Sequence, residues 1–87
     1  MQTSEHARTV RVVPVEHKGQ QVWAIHRDVA SRASRVYPSR LDAVAVARRI
    51  ARRERAEMFV EDLDGTTERH DPTARHGKVV SRQPTSA

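Results

Sequence analysis

The chain contains no cysteine, three glycines, and one residue each of Trp, Tyr and Phe among 87 positions. Without thiols, neither disulfides nor a thiolate metal site can supplement the core. With so few aromatics, and at least one needed inside, a sheet of stacking rings for single-stranded nucleic acid is disfavoured. Trp23 is assigned to the core on the same ground. No apolar run approaches the roughly 20 residues of a membrane span. The opening MQTSEHARTV lacks the apolar centre of a signal peptide, so a cytoplasmic protein is expected. There is no glycine-rich phosphate loop, and His6, His17, His26, His70 and His76 are scattered with no Ser or acid in a triad arrangement. The acids Glu57, Glu61, Asp62, Asp64 and Glu68 have no histidine at ligand spacing. No enzyme activity, cofactor, metal or small-molecule substrate is therefore expected.

What is present is a small core and much charge. A chain of this length with 37% hydrophobic residues can close one layer of helix on one layer of sheet. The net charge of +5 favours anionic partners, but it is unevenly spread. Residues 9–37 carry net +3 and residues 38–55 net +4, whereas residues 56–70 carry net −4 and the segment 71–87 net +2. The chain is bipolar, which weakens the simplest electrostatic case for nucleic acid.

Along the chain, residues 1–8 are polar and aperiodic and read as a disordered lead. TVRVVPVEHKGQQVWAIHRD predicts two strands around a turn, with Gly19 free to take positive φ. Pro14 cannot donate to a ladder, so the first strand is expected at an edge or to end at the proline. On the second strand Trp23, Ile25 and Arg27 share one side, and the larger pair marks the core face. DVASRASRVYPSR is a connector, with Val36 and Tyr37 as anchors. A helix is predicted over about Arg40 to Arg55, capped by Ser39 with Asp42 three residues on. Its inner stripe is Ala43, Val44, Ala47, Ile50 and Ala51. Ala56, Met58 and Val60 then alternate as a strand, Asp64–Gly65 signals a two-residue hairpin, and Thr66 to Arg69 give a short fourth strand. From Asp71 the chain reads as a flexible basic tail, because Val79 and Val80 are isolated. The expectation is a single α+β domain over residues 9–70, β-β-α-β-β, with one helix on a three- to four-stranded, largely antiparallel sheet.

Val12–Val13–Pro14, Trp23–Ala24–Ile25, SRAS at Ser31 to Ser34, the helix ending ARRIARRE, Asp64–Gly65 and the charged close Glu68–Arg69 occur in that order. Together they resemble a group of small bacterial proteins, the family catalogued as domain of unknown function 2188, over roughly Val10 to Asp71. The resemblance implies a fold and a bacterial or phage context. It carries over no catalytic or binding residue. Family members often have a basic residue or His where Glu61 stands, and the turn EHKGQQ is longer than their shortest.

The leading functional feature is the helix surface holding Arg48, Arg49, Arg52 and Arg53, extended by Arg32 and Arg35. Guanidinium forks match phosphate oxygens, and a helical array of them suits a nucleic-acid backbone. Arginine also forms helices well and solvates an outer face, so the same pattern fits a bland surface. The rival role is a protein-interaction module, a homodimer or a docking partner held through an open sheet edge or the charge dipole. Acids follow the arginines within a few residues. Whether they neutralise the arginine surface decides between these readings.

Overall fold

The computed structural model describes residues 8–27, 35–72 and 79–84. In chain order the elements are β1 (Thr9–His17), β2 (Gln20–Arg27), β3 (Arg35–Tyr37), α1 (Arg40–Glu54), β4 (Glu57–Glu61), β5 (Thr66–His70) and β6 (Val79–Pro84). The six strands form one sheet in the order β3-β2-β1-β4-β5-β6. Neighbours run antiparallel except β1 and β4, which are parallel. The helix lies on one face and packs on β1, β2, β3 and β4.

Each element follows from local chemistry. Lys18 and Gly19 both adopt positive φ, 53° and 76°, as a two-residue hairpin loop with right-handed strand twist requires. In an antiparallel ladder paired residues alternate between bonded and non-bonded positions. Counting back from His17↔Gln20, the pair Pro14↔Trp23 falls on a non-bonded position. The nitrogen of Pro14 therefore points towards β4, whose pairing with β1 covers only Thr9 to Val12. This resolves the expectation of an edge strand: β1 is central and continues through Pro14 to His17, because the missing donor falls where no bond is needed.

Ser39 caps α1, its Oγ accepting from the Asp42 amide at 3.3 Å. The helix stops at Arg55, which takes the left-handed conformation with φ 57°. Its inner face is small: Ala43, Ala47 and Ala51 are fully buried, and Val44 nearly so. They meet Val10, Val12, Trp23, Ile25, Met58 and Val60 from the sheet, with Ala56 completing the cluster. Val22 and Ala24 are buried as well, on the opposite face, where their partners across the ladder are Val15, Val13 and Val36. No helix among the described residues is long and apolar enough to cross a membrane.

Three expectations are corrected. The sheet has six strands in place of three or four, and the order is β-β-β-α-β-β-β. The additions are β3 in the connector and β6 in the segment read as tail, and both are held by main-chain pairing more than by burial. All six residues of β6 are exposed, so no apolar periodicity announces it. The hairpin at Asp64–Gly65 has a three-residue loop. Asp62 N–H donates to Thr66 C=O at 2.8 Å and Gly65 N–H to Asp62 C=O at 3.1 Å, with Gly65 at φ 86° as such a loop requires. Of the lead 1–8, residues 1–7 lie outside the described residues, while Arg8 C=O accepts from Glu57 N–H at 2.8 Å.

Candidate functional site

The alternation of β2 places Arg27 on the helix side, two residues beyond Ile25 and at the margin of the core. The pairs Ile25↔Arg35 and Trp23↔Tyr37 bring β3 beside the same face, and Tyr37 packs against the core cluster. On α1, Val46, Arg49, Ile50 and Arg53 recur at i, i+3, i+4 and i+7, so they form one flank facing β2 and β3. Between flank and strands runs an open groove of about 380 Å³. Ile25, Val46 and Ile50 make its apolar floor, Tyr37 contributes a ring, and Arg27, Arg35, Arg49 and Arg53 stand around it.

Electrostatically the groove is one-sided. Arg27 pairs with Glu54 at the end of the helix. Arg35, Arg49 and Arg53 are exposed and make no ion pair among the described residues. The acids that follow the helix in sequence go elsewhere. Glu61 takes Arg11 at 2.9 Å and Asp62 takes Arg40 at 2.8 Å. Glu68 receives Arg40 at 3.3 Å and faces His70 Nε2 at 3.0 Å. Asp64 holds Arg82 at 2.9 Å, and Glu57 lies 3.7 Å from Arg69. These acids sit on β4, β5 and the loop between them, across the sheet from the β2–β3 groove.

The helix arginines do not form one surface. Arg49 and Arg53 line the groove, whereas Arg52 Nε donates to Pro72 C=O at 2.9 Å beyond the end of β5. Arg48, one turn before Arg52, is half-buried, and its Nε is buried without a hydrogen-bond partner among the described residues. The crest of the helix therefore divides the four into two pairs on opposite flanks. Arg35 joins the groove as expected from its place in the connector, while Arg32 lies outside the described residues. The sequence reading missed Arg27 and the wall formed by Tyr37. Arg27 had a signal, since it shares the parity of Trp23 and Ile25, and the spacing of residues 46, 49, 50 and 53 marks a second helix stripe beside the alanines that faces Tyr37.

The face of the sheet opposite α1 is the other notable surface. Arg11 lies over the ring of Phe59, 5.4 Å from its centroid. Both arginines beside Phe59 have acidic neighbours, Arg11 with Glu61 and Arg69 with Glu57, so this face carries little excess charge. Among the described residues no group of three or more His, Cys, Asp or Glu is placed to hold a metal ion. His70 is buried on the helix side, Nε2 facing Glu68 and Nδ1 without a partner. Asp64 accepts from both the hydroxyl and the amide of Thr66, at 2.7 and 3.1 Å. That hydroxyl bond, then the amide bond, holds its carboxyl below the ordinary 3.8.

Residues 10–71 match the model of a family described as an uncharacterized protein conserved in bacteria, domain of unknown function 2188, and the chain belongs to it. No curated protein and no solved structure matches the chain.

Proposed function

We propose that this member of a bacterial family is a non-enzymatic protein that binds nucleic acid mainly through the phosphate backbone, using the groove arginines. The observation that supports it is the group of Arg35, Arg49 and Arg53 around one concavity beside Arg27, which Glu54 takes, with the acids of β4, β5 and the loop between them committed to other arginines. Guanidinium forks suit phosphate oxygens, and arginines around one concavity can meet neighbouring phosphates of one strand. Arg48 and Arg52 occupy the other flank and act as secondary, long-range charge.

The test is a titration of fluorescent DNA and RNA by anisotropy at several salt concentrations. If two to four phosphates are contacted, the slope of log affinity on log salt lies between about −1.4 and −3.6. Arg49→Glu/Arg53→Glu should abolish binding, and Arg48→Glu/Arg52→Glu should weaken it only a few-fold. No binding at low salt, or binding unchanged by the first double variant, rejects the proposal.

A second reading rests on β6. It is an outer strand whose six residues are all exposed, including Val79 and Val80, so its far edge is open to another strand. This supports self-association by edge pairing. Light scattering across a concentration series decides it: a dimer lost on Ser81→Pro, with no affinity for nucleic acid, would replace the first reading with this one.

A further inference from the structure

Resting on the nucleic-acid reading, we infer that the groove selects a single strand, seating one nucleotide with its base or sugar against Tyr37 and the apolar floor. A surface that recognises only phosphates needs charge and no more. Here the four guanidiniums surround Val46 and Ile50, partly buried side chains that gain nothing from phosphate oxygens. They gain by covering a ring or a sugar. The volume of about 380 Å³ lies within the range of small-ligand clefts, roughly 300–1,000 Å³, so it accommodates a nucleotide-sized unit. In a duplex the bases are stacked inward and paired, leaving backbone for a groove of this kind. An unpaired strand can splay a base into it.

Tyr37 is suited to receive that base. It is half-buried and held against the core cluster, paired across the ladder with Trp23, so its ring is already ordered. Little side-chain entropy is lost on contact. Arg35 lies two residues before Tyr37 on the same side of β3, and Arg49 and Arg53 face it from the helix. Flanking phosphates of one strand therefore meet guanidiniums on both banks of the groove. Guanidinium planes also stack on bases, which adds to the preference for unpaired bases.

The experiment uses the full chain with five probes: a short single DNA strand, the RNA strand of the same sequence, the duplex, inorganic polyphosphate as charge alone, and polyglutamate as an acidic polypeptide. A stacked base contributes roughly 5- to 150-fold in affinity. Either single strand should therefore bind at least about fivefold more tightly than the duplex. Tyr37→Leu should reduce strand affinity by a factor in that range while leaving polyphosphate binding unchanged, because no charge is altered. Ultraviolet crosslinking of the unaltered chain to the strand, mapped by mass spectrometry, should place adducts at Tyr37 and keeps the test independent of any folding defect in the variant. A stronger response to DNA or to RNA identifies the sugar the groove prefers and supports the inference. Equal affinity for duplex and strand, or adducts only on the other helix flank, overturns the inference while leaving backbone binding intact. Equal affinity for polyglutamate overturns it in favour of an acidic protein partner, and failure of every nucleic acid to bind overturns both readings.

Discussion

Alanines set the distance between helix and sheet in this fold. Ala43, Ala47 and Ala51 are each fully buried, one turn apart, against the fully buried Val10, Val12, Ile25, Met58 and Val60. Leu at position 47 adds a branched apolar group where the layers have closed. Helix propensity is nearly the same for the two residues, so any loss comes from packing. Overpacking of this kind costs about 1–3 kcal/mol. A domain of roughly 60 residues has a total stability of about 3–9 kcal/mol, so the variant loses a large share. The midpoint temperature should fall by roughly 4–24 °C, at about 4–8 °C per kcal/mol. Trp23 is the single tryptophan and is buried in the same cluster, so its emission in urea or on heating reports the transition directly. Ala45→Leu, on the outer side of the helix and half-exposed, is the control and should stay within about 0.5 kcal/mol of the parent. If Ala47→Leu is as stable as Ala45→Leu, the alanine stripe does not determine the approach of the layers.

Other outcomes follow from single contacts. Ser39→Ala removes the acceptor for the Asp42 amide and should cost about 1 kcal/mol in urea unfolding. Lys18 stands at φ 53° in a loop that favours Asn before Gly, so Lys18→Asn should raise stability by a few tenths of a kcal/mol in thermal unfolding. The Asp64 carboxyl is depressed below 3.8, so whatever it adds to stability is present above pH about 4 and is lost as pH falls through its folded-state value. A carboxyl NMR titration should place its midpoint below 3.8, and Thr66→Val, which removes the hydroxyl donor, should move it back up.

Much of this was legible because burial and periodicity coincide. The alanine stripe, the Ser39 cap and the parity of Trp23 and Ile25 each leave a pattern that one face of one element must satisfy. Strands β3 and β6 leave no such pattern. Arg35 and Val36 are exposed, as is all of β6, and both strands exist through backbone pairing, to which any non-proline side chain is nearly neutral. Pro14 misled for a related reason: the residue rule is sound, but whether its missing donor matters depends on where the β4 pairing stops. The site divides similarly. Spacing showed four helix arginines one turn apart, but which flank met a wall and which met Pro72 was set by strand order, a long-range property.

Strand order also explains how acids adjacent in sequence leave the groove arginines available. After Arg55 the chain re-enters the sheet between β1 and β5, carrying Glu57, Glu61 and Asp62 away from the β2–β3 side. Their pairs with Arg69, Arg11 and Arg40 are exposed or partly so and individually weak. Their consequence is one of allocation: they occupy other arginines and leave Arg35, Arg49 and Arg53 facing solvent. A single substitution should therefore separate stability from binding. Ala45→Glu places a carboxylate four residues before Arg49, the favourable order for a helical ion pair worth about 0.2–0.5 kcal/mol. That pair offsets the lower helix propensity of Glu, so the fold should stay within about 0.5 kcal/mol of the parent. The same carboxylate competes with phosphate for Arg49. Strand affinity should fall several-fold, and the salt slope should shrink by about 0.7, the value of one lost phosphate contact on a single strand. An Ala45→Glu chain destabilised by more than about 0.5 kcal/mol would contradict the half-exposed placement of that position. A stable one that binds as tightly as the parent would remove Arg49 from the interface.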